Sequence, residues 1–170
     1  MSHDKILLRL AGLACLAGAG LRAAGAFPSL HIPGQGTEAS YFAVDLLLSL
    51  GLVGLFAGIS QFRGWLGVVG FAGALAGFEL IRTGERLGGG DAYQRSSAIL
   101  GLALAVCGLA LIGGKGLVRL AGAAWLASLA VGLVGTVLHQ AFGFTIASLL
   151  FCLGFALGGL VLLQGGPRRG

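Results

Sequence analysis

A chain of 170 residues that is 56% hydrophobic and 10% charged cannot be an ordinary soluble domain. Such domains carry roughly a quarter charged residues, and one this small has too much surface to hide so much apolar side chain. A net charge of +5 does not point to nucleic acid either, because the basic residues stand singly at the ends of apolar runs and not in a stripe.

Lipid is the solvent that fits, and one helical crossing of a core about 30 Å thick takes roughly 20 mostly apolar residues. The first such run covers 6–27, behind Lys5 and Arg9, and stops at Pro28. It also has the order of a signal peptide, with Ala24-Gly25-Ala26 as a cleavage-like site. Arg22 just before that site, and the repeat described below, favour a retained helix. Residues 28–40, punctuated by Pro28, Pro33 and Gly34-Gln35-Gly36, predict a loop. Further spans are expected at 41–61, 65–82, 96–112, 117–138 and 142–163, with a second long loop at 83–95. The expectation is an all-α integral membrane fold of about six transmembrane helices, a single polytopic domain over 1–170.

Lys5 to Ala17 echoes Lys115 to Ala127, with both basic residues of each segment in register. A looser version starts at Arg63, so the six spans read as three repeated helical hairpins, as in some transporters and in inert bundles. The 33 glycines suit close helix packing, for instance at the small-residue pairs Gly54/Gly58, Gly73/Gly77 and Gly154/Gly158. Tyr41 and Trp65 fit interfacial belts, whereas Trp125 lies deep and is expected to pack.

Orientation follows from the basic residues. With the first helix entering from the cytoplasm, Lys5, Arg9, Arg63, Lys115, Arg119, Arg168 and Arg169 fall inside, and Arg22, Arg82, Arg86 and Arg95 fall outside. Both termini are therefore expected in the cytoplasm. The Arg, Ala, Gly and Leu bias suggests a bacterial inner membrane. The acids Glu38, Asp45, Glu79, Glu85 and Asp91 gather at the outer end together with His31 and His139, and only Asp4 lies inside.

The densest charge lies between Glu79 and Arg95. Glu79, Arg82 and Arg86 share one helical face with Glu85 beside them, and Glu79 precedes Arg82 in a favourable order. With Arg22 and Asp45 they form a polar cluster, in which Arg22, Asp45, Glu79 and Arg82 sit at one depth on three consecutive helices. Asp45 either rests on the dipole of its helix N-terminus or faces Arg22 or Arg82, and the arginines either snorkel to headgroups or pair. His31, Glu38, Asp91, Arg95 and His139 are weaker candidates for binding or docking.

No metal or catalytic motif is visible. Cys15, Cys107 and Cys152 lie singly in separate spans without CxxC spacing, and no HExxH, GxSxG or phosphate loop occurs. Paired histidines within the spans, as haem ligation requires, are missing, so no cofactor is expected. The expected function is that of a non-enzymatic accessory, assembly or structural membrane subunit. Its partners would be the bilayer and a membrane protein or a second copy, and no nucleic acid. A small-solute or ion transporter is the alternative, and a membrane-embedded enzyme comes third. Transport would gain if Ser49, Ser128, Thr136 and Ser148 lined one cavity with Glu79. Catalysis would need Glu79, Asp45 or His139 to converge.

Overall fold

The computed structural model describes residues 3–27, 38–87 and 89–165, with side chains other than those of 84–94 and 141. Among the described residues there are six α-helices and no strand. They are α1 (His3–Gly25), α2 (Glu38–Gly58), α3 (Trp65–Leu87), α4 (Gly89–Ile112), α5 (Leu117–Val137) and α6 (Ala141–Leu163), with a turn of 3-10 helix at Ser60–Arg63. All six are long and apolar enough to cross a membrane, so the chain is all-α, multi-pass in form and suited to lipid contact. Its exposed side chains include Leu7, Trp65, Leu133, Val137 and Phe142, as expected of a surface solvated by acyl chains.

The expected loop at 83–95 takes a different form. The apolar stretches stop at Thr83 and resume at Arg95, but α3 runs on to Leu87 and α4 already starts at Gly89. Glu85, Arg86, Leu87, Ala92, Gln94 and Arg95 are good helix formers. Polarity there marks the end of the apolar span, and the backbone stays helical past it.

Successive helices pack as neighbours, and α1 packs on α6 to close the circuit. The hairpins α1–α2 and α5–α6 repeat one contact. Cys15 rests on the backbone of Gly51 in its hairpin partner, and Trp125, at the aligned position, rests on Gly154. The aligned glycines Gly12 and Gly122 also play one part, each joining its hairpin to the helix before it in the circuit. Gly12 meets Gly159 of α6 and Gly122 meets Gly108 of α4, and a Cβ on any of the four would come within 2.6–2.8 Å of the facing carbonyl oxygen. Only glycine allows backbones that near.

The third junction, between α2 and α3, is made by side chains. Phe56 stacks on Phe71 with centroids 4.2 Å apart, and Arg82 lies over Phe42. The middle of the bundle is aromatic. Phe155 of α6 meets Trp125 at 5.2 Å, Phe151 at 5.1 Å and Phe78 of α3 at 6.4 Å, and none of the four rings is more than 9% exposed.

Candidate functional site

The register of the helices decides which charges share a level. Gly18 packs on Leu48 and Gly51 on Cys15, so one turn further Arg22 of α1 stands level with Asp45 of α2. Phe56 against Phe71, and Phe42 against Arg82, set α3 antiparallel to α2. Arg22, Asp45, Glu79 and Arg82 therefore lie near one end of the bundle, here termed the upper end. Lys5, Arg9, Arg63, Lys115 and Arg119 belong to the opposite end and are all exposed.

Arg82 has two partners among the described side chains. Its Nη1 donates to Glu79 Oε1 at 3.0 Å, and its Cζ lies 4.7 Å from the centre of the Phe42 ring. Its Nε is enclosed without an acceptor. The side chain is 24% exposed and that of Glu79 is 65% exposed, so solvent or headgroups screen the pair and it contributes little by itself. The cation–π contact, partly shielded, is worth about 0.5–2 kcal/mol. One turn on, the Thr83 hydroxyl donates to the Glu79 carbonyl at 2.9 Å, and across the hairpin Ser96 of α4 donates to the Leu80 carbonyl at 3.1 Å.

Arg22 reaches a second aromatic platform, with its Cζ 5.3 Å from the centre of the Phe151 ring on α6. Asp45 is 6% exposed and is engaged within the fold. It is buried deeper than a carboxylate resting only on a solvated helix N-terminus would be. The upper end thus sets Arg22 of α1 against Phe151 of α6 and Arg82 of α3 against Phe42 of α2, with Asp45 buried on α2. Phe42 and Phe151 were not foreseen as partners. The available signal was an aromatic residue at arginine depth in a neighbouring span, and Phe42, three residues before Asp45, carried it.

The other candidates scatter. Glu38 and Arg95 are exposed. Glu85, Arg86 and Asp91 lie in helical backbone whose side chains are outside the described set, and His31 is outside the described residues. His139 is exposed with φ of 50°. Its N–H donates to the Thr136 carbonyl at 3.3 Å, and the Gln140 N–H donates to the Gly135 carbonyl at 3.0 Å. These are the two bonds of a Schellman turn in which His139 takes the left-handed position that glycine usually fills. His139 therefore ends α5, a helix that does not pack on α3.

Two of the hydroxyls expected deep in the spans are tied to backbone, while the buried Ser97 Oγ and Trp125 Nε1 have no hydrogen-bond partner among the described residues. Ser128 donates to the Ala147 carbonyl of α6 at 2.8 Å, and Thr136 donates to Gly132 of its own helix at 2.9 Å. Among the described residues no group of three or more His, Cys, Asp or Glu is placed to hold a metal ion, and Cys15, Cys107 and Cys152 are buried and unbridged. Comparison of the chain with protein-family models, curated proteins and solved structures finds no match.

Proposed function

We propose that the protein is a non-enzymatic accessory or assembly subunit of a bacterial inner membrane. In this reading α1 enters from the cytoplasm and the charged upper end faces outward to dock a membrane-protein partner. The observation that carries it is the filled centre. Phe78, Trp125, Phe151 and Phe155 close the bundle axis, and the hydroxyls of Ser128 and Thr136 are bonded to helix carbonyls instead of facing a common cavity. A solute path would need polar groups free to replace water along the axis.

The upper end supports the docking role. Arg22 and Arg82 are set on aromatic rings, so little side-chain freedom remains to be lost on binding a partner. Gly12, Gly51, Gly122 and Gly154 are occupied by contacts inside one chain, which leaves the polar end and not these glycines as the surface for a partner.

The test is purification from the native membrane in mild detergent, with mass spectrometry of what accompanies the protein. The expected result is a stoichiometric membrane protein that is lost when Arg22 and Glu79 are both changed to Gln. A lone protein that supports solute flux in liposomes, with the flux abolished by Glu79→Gln, overturns the reading in favour of transport.

A further inference from the structure

We infer that the Glu79–Arg82 turn and the adjoining face of α2 bind the headgroup of an ethanolamine phospholipid, with phosphate on Arg82 and the primary ammonium on Glu79. The site does not depend on the docking reading, since it needs only the bilayer and the upper end of the α2–α3 junction.

Three observations combine. First, Arg82 is held edge-out. Phe42 covers one face of its guanidinium, Nη1 is committed to Glu79 and Nε is enclosed, which leaves the Nη2 edge for a further acceptor. A planar guanidinium fixed in this way is suited to phosphate oxygens.

Second, the partner carboxylate is in the wrong place for a simple anion. Glu79 is more exposed than Arg82, at 65% against 24%, so an anionic headgroup approaching Arg82 meets a negative charge beside it. A ligand carrying its own positive charge one bond-chain away from its phosphate meets both groups favourably. The two charged groups touch, with Arg82 Nη1 3.0 Å from Glu79 Oε1, so the ligand's phosphate and ammonium must lie close together, as groups joined by two carbons do. A primary ammonium donates hydrogen bonds to a carboxylate, whereas a choline headgroup has no N–H to donate. Glu79 meets Arg82 through Oε1 and its side chain is 65% exposed, so its other oxygen remains for the ammonium while the pair stays closed.

Third, the apolar surface continues from the charges. Phe42, Leu46 and Leu50 lie at i, i+4 and i+8 on α2 and are 49%, 43% and 51% exposed. At 1.5 Å per residue the stripe is about 12 Å long, close to the depth of one leaflet of a hydrocarbon core about 30 Å thick. Tyr41 stands at its polar end at 52% exposure. An acyl chain therefore has a track that begins beneath the headgroup, and this selects a lipid over a soluble phosphoamine.

The test is lipid retention by the delipidated, folded protein, read by native mass spectrometry and by melting temperature. The probes are phosphatidylethanolamine, phosphatidylglycerol and phosphatidylcholine of one acyl composition, and glycerophosphoethanolamine as the chainless headgroup. Phosphatidylethanolamine is expected to be retained severalfold better than the other lipids and to raise Tm by about 3 °C. The chainless headgroup is expected to do neither. Arg82→Gln should abolish retention, Glu79→Gln should turn the preference towards phosphatidylglycerol, and Arg63→Gln at the opposite end should change nothing. Should Arg82→Gln fail to fold, Arg82→Lys keeps the charge but loses the ring-backed plane, and it should retain severalfold less lipid. Unchanged retention in the Arg82 variant, a preference of the unaltered protein for phosphatidylglycerol or phosphatidylcholine, or equal stabilisation by the chainless headgroup overturns the inference.

Discussion

The indole of Trp125 lies against the backbone of Gly154 on the next helix, so closely that a Cβ at residue 154 would fall on the pyrrole edge of the ring. Trp125 is 1% exposed and also meets Phe155 edge-on at 5.2 Å, so the surrounding packing leaves it little room to retreat. Gly154→Ala should therefore destabilise the protein by about 1–3 kcal/mol, the usual cost of overpacking. Gly20, with nothing within 4 Å of its would-be Cβ, is the control, because alanine there should be neutral or slightly stabilising through helix propensity. Thermal unfolding in detergent compares the two. Equal effects would show that the Trp125 ring is free to move.

Gly12 and Gly122 hold aligned positions in the repeated segment and face Gly159 and Gly108 respectively. If the repeat is a repeat of packing, Gly12→Ala and Gly122→Ala should cost similar amounts, again about 1–3 kcal/mol each, although they open different junctions. Gly101, whose would-be Cβ meets only Leu129 Cδ1 at 3.7 Å, should accept alanine. The same melting measurement decides it, and a loss confined to one of the two aligned positions would reduce the repeat to a coincidence of composition.

Arg82 has two partners and Glu79 has one described partner side chain. Exposed i,i+3 ion pairs are worth a few tenths of a kcal/mol, whereas the contact with Phe42 is worth about 0.5–2 kcal/mol. Arg82→Gln should thus lower stability more than Glu79→Gln, and Phe42→Leu should remove most of the difference. In a double-mutant cycle the Arg82–Phe42 coupling should exceed the Arg82–Glu79 coupling. The reverse ranking would make the carboxylate, and not the ring, the anchor of Arg82.

Much of this arrangement is legible in the sequence. Six apolar runs fix six helices because no other open structure satisfies its backbone in lipid, and the common depth of Arg22, Asp45, Glu79 and Arg82 followed from counting residues along those runs. Two things were not legible. A polar stretch such as 83–95 reads as a loop when charge is the cue, yet Glu, Arg, Leu and Ala are content in a helix that has left the apolar layer. The partners of the arginines were hidden for another reason. Which side chain of α2 or α6 faces Arg82 or Arg22 depends on helix rotation, and a helix apolar nearly all round, such as α6, gives no pattern that fixes its rotation.

His139 shows how a chemically suggestive residue acquires a structural role. As a loop histidine near the charged end it was a candidate for binding, but its φ of 50° and the pair of bonds that close the end of α5 give it the position usually held by glycine. An L-residue in that conformation costs about 1–2 kcal/mol, less for residues that tolerate it. His139→Gly should therefore raise the melting temperature, and His139→Val, β-branched and averse to positive φ, should lower it. Both should leave partner capture and lipid retention unchanged. If His139→Gly instead abolished capture without lowering stability, the imidazole would belong to the docking surface, and the turn would be where it is displayed.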